Sequence, residues 1–162
     1  MNLQSSGHAL PRREDTACDD AWAIRERNGM IVAALADGVG SAREGGAAAR
    51  RAVEMLADYY LARPRNWSPR RALGEFTAQI NHHLHADSLA QHGQAELACT
   101  LSAVVLEEGR LYGCNVGDSP VFHWRRGRLA RLSEVHTLAQ PGMDHVLTRA
   151  IGLEPGVEPF FF

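Results

Sequence analysis

Cysteine is scarce in this sequence. The 162 residues contain three, Cys18, Cys99 and Cys114, an odd number without CxxC spacing. Such a set does not form a disulfide framework of the kind that holds small secreted domains together. We therefore expect the thiols to be reduced and the protein to be cytoplasmic.

Long apolar runs and a charge excess are also lacking. No apolar run is long enough to span a bilayer, and residues 1–11 lack the charged start and apolar core of a signal peptide. Seventeen basic and 19 acidic residues give a net charge of −2, so neither a nucleic-acid nor a membrane partner is expected. The locally basic runs 63–71 and 125–131 are interpreted as solvated turns, with a phosphate-binding surface as the alternative. The composition and length suit one globular domain over residues 1–162.

Nucleotide-binding glycine motifs are absent. Gly38-Val39-Gly40 is followed by Arg43 where GxGxxG requires its third glycine, and no Walker A motif occurs. The chain is therefore not predicted to be a dinucleotide-binding or P-loop protein.

What the sequence does contain is an acidic turn after a buried strand. The apolar run 30–36 predicts the strand, and Asp37 follows it, with Gly38 and Gly40 after it in the chain. Ser41 and Glu44 form a capping-box pattern, which predicts a helix starting close to Ser41. An ordinary strand-to-helix turn is the alternative interpretation, since Asp and Gly are common in turns.

A hairpin signal brings further carboxylates to this turn. Asn28-Gly29 predicts a tight turn between a strand that begins near Ala21 and the strand 30–36. The start of the first strand and the end of the second are neighbours in such a hairpin. Asp19 and Asp20 are therefore predicted to lie beside Asp37.

Carboxylates this close repel one another unless a cation lies between them. Oxygen ligands favour Mg²⁺ or Mn²⁺, and the absence of His and Cys from these two turns argues against zinc. The alternative is that Asp19 and Asp20 solvate a loop.

The remaining pattern predicts two helices followed by strands. The first helix runs from Ala42 to about Leu61, and the second begins at Ser68-Pro69 and fades near 91–93. An antiparallel meander of four strands follows, at 97–106, 110–116, 119–124 and 129–132, and a further apolar segment at 146–151. This order predicts an α+β fold with an antiparallel sheet.

Two other groups of residues could bind metal. Asp118 lies in a second acidic turn, Asn115-Val116-Gly117-Asp118-Ser119, for which an ordinary turn aspartate is the alternative. His82 and His85 share a helix face, but no third ligand is evident and polar helix surface is the favoured interpretation.

Together, six short motifs resemble the metal-dependent serine/threonine protein phosphatases of the protein phosphatase 2C (PPM) type, in their bacterial form. They occur in the family's order over nearly the whole chain: Asp19-Asp20-Ala21-Trp22, Ala36-Asp37-Gly38-Val39-Gly40, Cys99-Thr100-Leu101, Asn115-Val116-Gly117-Asp118-Ser119, Val135-His136-Thr137 and Leu147-Thr148-Arg149-Ala150-Ile151-Gly152.

The resemblance implies a four-layer αββα sandwich, with two antiparallel sheets between helices and two or three Mn²⁺ or Mg²⁺ ions in the site. Asp37 matches the aspartate that bridges both metals, and the Gly38 carbonyl matches a ligand of the second metal. Asp20 matches the acidic residue of the first motif. Asp118 matches the aspartate that binds an additional metal in bacterial members.

The chain departs from the family pattern in three ways. Asp15 stands where the family usually has a phosphate-binding arginine, so Arg12 or Arg13 is the candidate substitute. The stretch between His136 and Leu147 is short, which puts substrate selection by the family's flap in doubt. Two further metal aspartates would follow Phe162, so we expect a C-terminally truncated phosphatase domain.

The resemblance implies hydrolysis of phosphoserine and phosphothreonine in proteins, the targets of serine/threonine kinases, by a metal-activated water. With part of the metal site, this chain by itself is expected to bind two metals weakly. The alternatives are a catalytically dead regulatory or binding module that kept the fold, and a metal-free domain. The sequence predicts neither the substrate, the choice of metal, the oligomeric state nor an attached kinase or sensor domain.

Overall fold

The computed structural model describes residues 4–11, 18–40, 42 and 44–162. Its elements in chain order are β1 (Asp20–Arg27), β2 (Met30–Asp37), α1 (Gly45–Leu61), α2 (Pro69–His92), β3 (Leu101–Glu107), β4 (Arg110–Val116), β5 (Phe122–Arg125), β6 (Arg128–Arg131) and β7 (Phe160–Phe161). Neither helix is long and apolar enough to cross a membrane, judged over the residues that the structure describes.

The strands form two antiparallel sheets. One has five strands in the order β1-β2-β3-β4-β7, and the other is the hairpin β5-β6. The predicted α+β class with antiparallel sheets is confirmed. The predicted four-strand meander is wrong in one respect, because β7 rather than β5 pairs with β4. The glycine and proline turn at 117–120 separates β5 from that sheet.

The β1–β2 hairpin forms as predicted. Asn28 and Gly29 have φ angles of 52° and 76°, the left-handed conformation that a tight two-residue hairpin turn requires. The resulting register sets Asp20 directly opposite Asp37.

Both helices pack on one face of the five-stranded sheet. Alanine dominates the contact, because the core joins Ala48, Ala49 and Ala52 of α1 to the alanines of β1 and β2. α2 reaches β4, where the Thr77 hydroxyl lies 3.8 Å from the Cys114 sulfur. Small side chains let the helix backbone approach the sheet closely, which determines how α1 begins at the end of β2.

The two helix starts differ from each other in how well they were predicted. α2 begins as expected, since Ser68 Oγ accepts a hydrogen bond from the Arg71 N–H at 3.3 Å. α1 begins at Gly45, three residues later than expected, with Glu44 at the N-cap and no side-chain cap. The predicted capping box is therefore not the start of α1, and Ser41 itself lies outside the described residues.

One predicted strand is shorter than expected, and the predicted apolar segment contributes to the core. β3 begins at Leu101 rather than at 97, because Cys99 instead exchanges backbone hydrogen bonds with Ile151 at 3.1 and 2.8 Å. The apolar segment 146–151 forms no strand and contributes the buried Ile151 to the core.

The sheet face away from the helices is apolar and open. Trp22 and Leu35 are 41% and 43% exposed there, and Gly7 of the N-terminal segment lies against the Trp22 ring. Cys18, Cys99 and Cys114 are all free thiols, and the cytoplasmic location stays a prediction.

Candidate active site

Acidic side chains from three separate turns meet at Asp37. The pKa of Asp37 is raised to about 6 by burial, by the charge of Asp20 and a hydrogen bond with its carboxyl group, and by the charges of Asp118 and Asp19. Asp118 lies 81 positions from Asp37 in the chain. The structure thus brings together all four predicted aspartates.

Backbone and hydroxyl groups hold Asp37 in place at the end of β2. The Asp37 N–H donates to Thr100 Oγ1 at 2.9 Å, and the Thr100 N–H donates to the Asp37 carbonyl at 2.8 Å. Thr100 belongs to the motif Cys99-Thr100-Leu101, for which the sequence predicts no role. Its polar side chain lies in sequence between the apolar Cys99 and Leu101. A buried hydroxyl requires a hydrogen-bond partner, so this pattern could have indicated that Thr100 binds another residue of the site.

Thr100 also joins Asp37 to the second acidic turn. Its hydroxyl lies 2.7 Å from the Ser119 hydroxyl, and Ser102 Oγ donates to the Ser119 carbonyl at 2.7 Å. Thr100, Ser102 and Ser119 are buried, so this hydroxyl network is rigid and shielded from water. It fixes where Asp118 lies relative to Asp37.

A buried histidine fastens the other side of the same turn. The Gly117 N–H donates to His136 Nδ1 at 3.0 Å, and the His136 N–H donates to the Gly117 carbonyl at 3.1 Å. Burial lowers the pKa of His136, and the neighbouring Arg149 guanidinium lowers it further. The imidazole therefore stays neutral and accepts through Nδ1 at neutral pH, which suits a positioning role.

Asn115 completes the fastening of the turn. Its side-chain amide donates to the Glu134 carbonyl at 2.8 Å, and its oxygen accepts from the Glu134 N–H at 3.0 Å. The two bonds attach the end of β4 to the segment that carries His136, so Asp118 projects from a turn held on both sides.

Gly38 lies against the first turn of α1. A Cβ built on Gly38 would collide with the backbone of Gly45 and Gly46, so no larger residue fits there. The Gly38 N–H donates to the Asp19 carbonyl at 3.1 Å. The start of α1, the positive end of the helix dipole, therefore lies among the carboxylates and favours their negative charge.

The remaining predicted site residues are two arginines near the N-terminus and two histidines of α2. Arg12 and Arg13 lie outside the described residues, and their substrate-binding role stays a prediction. His85 Nδ1 lies 3.1 Å from the Gly152 carbonyl, a structural contact that joins α2 to the 150s loop. His82 is exposed on the surface of α2, which agrees with the interpretation as polar helix surface.

The oxygen groups at the cluster suit a hard divalent cation. Asp20 and Asp37 present adjacent carboxylates whose repulsion a cation would relieve, and Gly38 follows Asp37 directly in the chain. Within the described residues no group of three or more His, Cys, Asp or Glu side chains is arranged to hold a metal by itself. The donor set fits Mg²⁺ or Mn²⁺ in kind, and further ligands are needed to complete a coordination sphere.

The α+β fold thus gathers carboxylates at one end of an antiparallel sheet. The profile of the Protein phosphatase 2C family matches residues 10–149. The chain belongs to the protein phosphatase 2C family.

Bacterial relatives support this assignment. The serine/threonine phosphatase stp of Listeria welshimeri is 26% identical over an alignment that covers 86% of this chain and 63% of that protein. The chain thus spans about 63% of the length of this curated relative.

Solved structures show the same fold. The PPM Ser-Thr phosphatase MsPP from Mycobacterium smegmatis, in complex with cacodylate, is 27% identical, with a TM-score of 0.73, over 96% of this chain and 68% of that one. Serine/threonine phosphatase Stp1 from Staphylococcus aureus is 16% identical, with a TM-score of 0.78, over 99% and 74%. The staphylococcal similarity shows the fold alone.

Proposed function

We propose that this chain belongs to a metal-dependent phosphatase that hydrolyses phosphoserine and phosphothreonine in cytoplasmic proteins, the products of serine/threonine kinases. The observation that carries the proposal is the pair Asp20 and Asp37, directly opposite each other in the β1–β2 register, with Asp118 of a distant turn close enough for its charge to raise the pKa of Asp37. The names of the bacterial relatives support the substrate class.

Asp37 has the central role in this proposal. Asp20, Asp37, the Gly38 carbonyl and Asp118 would hold Mn²⁺ or Mg²⁺. Bound there, the metal supplies a water of lowered pKa and positive charge for the phosphoryl oxygens. Without a cation, the carboxylates would repel a phosphate dianion, so these residues make a phosphatase only together with metal.

The hydrogen-bonded residues around the cluster position it. Thr100 and Ser119 set the separation between Asp37 and Asp118, and His136 holds the turn that carries Asp118. Their task is to keep the carboxylates preorganised, which lowers the cost of ordering them when metal and substrate bind. Arg12 or Arg13 is proposed to bind the substrate phosphate.

A second candidate is a catalytically dead module that kept the fold. It is favoured by the lack, among the described residues, of a group of three or more metal-binding side chains. This module would bind phosphoproteins or regulators without turning them over.

The deciding experiment measures Mn²⁺ binding by calorimetry and Mn²⁺-dependent release of phosphate from a phosphothreonine peptide. Asp37→Asn is the test variant, and Asp144→Asn, at an exposed position in a loop, is the matched control. For a phosphatase we expect wild type and Asp144→Asn to release phosphate, and Asp37→Asn to lose at least about 100-fold in rate, since metal ligands supply several kcal/mol. Folded protein that neither binds Mn²⁺ nor releases phosphate in any of the three forms would instead favour the dead module.

A further inference from the structure

The β5–β6 hairpin stands apart from the rest of the molecule. Its strands are joined by Arg126-Gly127, with φ angles of 51° and 77°, and all eight strand residues are exposed. Arg125 lies opposite Arg128 at the tip, so their side chains share one face of the hairpin. The turn between them adds the third guanidinium, that of Arg126.

The tip is a concentration of positive charge without compensation. Residues 119–133 contain four arginines and one histidine but no aspartate or glutamate. No carboxylate in the described part of the chain pairs with Arg125, Arg126 or Arg128. These three side chains alone line a shallow surface depression. Their mutual repulsion would be relieved by an anionic partner.

The other basic run of the chain shows the contrast. In the run 63–71, Arg63 pairs with Glu107 at 2.8 Å, Arg70 lies over the Phe161 ring and Arg71 lies over the Trp67 ring. Those arginines have structural partners, so they are not simply a solvated turn. Among the residues that the structure describes, Arg125, Arg126 and Arg128 have no such partner, which leaves them available for binding.

The hairpin is attached directly to the candidate active site. Arg131 Nη2 donates to the Asp118 carbonyl at 3.2 Å, and the Val121 N–H donates to Ser133 Oγ at 2.9 Å. β5 is about 10 Å long, and the seven residues from Asp118 to Arg125 span at most about 24 Å. An extended peptide with its phosphoresidue at Asp37 therefore reaches the tip with residues roughly three to seven positions away.

We propose that the tip of the β5–β6 hairpin docks a carboxylate-rich segment of the phosphoprotein substrate, flanking the phosphoresidue. This inference rests on the proposed function and specifies its substrate class. The guanidinium group of arginine binds a carboxylate through two parallel hydrogen bonds. All 17 basic residues of the chain, counted as Lys plus Arg, are arginine. The three guanidinium groups lie apart on an open surface. This arrangement suits successive Asp or Glu side chains better than a single phosphate, which requires donors that converge on it.

Other polyanions fit this surface less well. Anionic membranes typically attract clusters of four to eight basic residues, whereas three guanidiniums are free here and Arg131 is engaged with Asp118. An extended nucleic-acid backbone would have to pass the aspartate cluster next to the hairpin, where like charges repel it.

The test measures peptide binding by fluorescence anisotropy at low and high salt, so that the readout does not require turnover. Three phosphothreonine peptides of equal length carry Glu, Gln or phosphoserine at positions three to six on both sides of the phosphothreonine. The variant Arg125→Gln/Arg126→Gln/Arg128→Gln is compared with a matched control, Arg27→Gln/Arg65→Gln/Arg110→Gln, which removes three exposed arginines at the far end of the sheet.

We expect wild type and control to bind the Glu peptide about tenfold more tightly than the Gln peptide, a modest gain because each pair is exposed. The hairpin variant should lose this preference while keeping its melting temperature and its rate with p-nitrophenyl phosphate. High salt should reduce the preference in wild type. No p-nitrophenyl phosphate hydrolysis by wild type would contradict the proposed activity, yet the peptide binding would still be measurable.

Three results would overturn the docking proposal. One is a Glu preference that survives in the hairpin variant. Another is tighter hairpin-dependent binding of the phosphoserine peptide than of the Glu peptide. The last is tighter binding to single-stranded DNA or to phosphatidylserine vesicles than to the Glu peptide.

Discussion

At the scale of single residues, Asp37 shows how local geometry creates an unusual carboxylate. The β1–β2 register sets it opposite Asp20, and burial together with the nearby charges raises its pKa to about 6. A carboxyl group in this situation costs stability when it ionises and regains that stability when a cation binds. The ionised form of Asp37 is therefore unfavourable in the metal-free protein and favoured when a cation binds.

This leads to a prediction for the metal-free chain. The pKa of Asp37 in the folded state lies above its ordinary value of 3.8. The contribution of this residue to the free energy of unfolding is therefore complete below pH 4, where the carboxyl group is protonated, and is lost as the pH rises through 6. Asp37→Asn has no such charge. In EDTA, we expect the free energy of unfolding of Asp37→Asn to exceed that of wild type by about 1 kcal/mol at pH 7.5, discounted because Asp37 is partly solvent-exposed.

Urea denaturation of both proteins at pH 4 and pH 7.5 measures the difference. The advantage of the variant should shrink at pH 4, where wild-type Asp37 is largely protonated. Asp144→Asn serves as the control, with no pH-dependent difference expected. Equal stability of wild type and Asp37→Asn at both pH values would show that the carboxylates do not repel one another.

At the scale of elements, the end of β2 and the start of α1 form one tightly packed unit. Gly38 meets the backbone of Gly45 and Gly46 with no room for a Cβ, whereas a Cβ built on Gly40 would have no atom of the described residues within 4 Å. The two glycines of one motif therefore have different tasks. Gly38 allows the close approach, and Gly40 lies in an open turn.

We predict that Gly38→Ala destabilises the chain by about 1–3 kcal/mol, because the added methyl group forces β2 and α1 apart. Gly40→Ala should be neutral or slightly stabilising, since it restricts the unfolded chain without a clash. Thermal denaturation of the two variants makes the comparison. A similar effect of both substitutions would contradict the packing explanation.

The same region shows where prediction from sequence succeeds and where it stops. The β1–β2 hairpin and the start of α2 were predicted because Asn28-Gly29 and Ser68-Pro69 act through neighbouring residues alone. The prediction of where α1 starts was wrong, because contacts with distant residues determine that start. The Glu44 N–H, for example, donates to the Glu96 carbonyl at 3.1 Å. β3 likewise begins late, because Cys99 pairs with Ile151, a contact that no local pattern reveals.

At the scale of the whole molecule, the candidate site joins parts of the chain that lie far apart in sequence. The hairpin register alone predicted that Asp20 and Asp37 are neighbours. The proximity of Asp118 was anticipated from the family resemblance, because the contacts that produce it, from Thr100 to Ser119 and from Gly117 to His136, are long-range. The basic run 125–131 was interpreted as a turn, and its position in a hairpin whose base contacts Asp118 required the structure.

A site built from distant segments should link metal binding to the stability of the whole chain. A ligand that binds the folded state at 100 times its Kd adds about 2.7 kcal/mol to the free energy of unfolding. For a chain of this size, that corresponds to a rise in Tm of roughly 5–10 °C. We therefore expect saturating Mn²⁺ to raise the Tm of wild type and of Asp144→Asn by this amount, and EDTA to reverse it.

Asp37→Asn should lose most of the shift, because the remaining carboxylates attract the cation less strongly. An equal shift in Asp37→Asn would mean that Mn²⁺ binds elsewhere, and an unchanged wild-type Tm would mean that the three turns do not form a metal site in this chain.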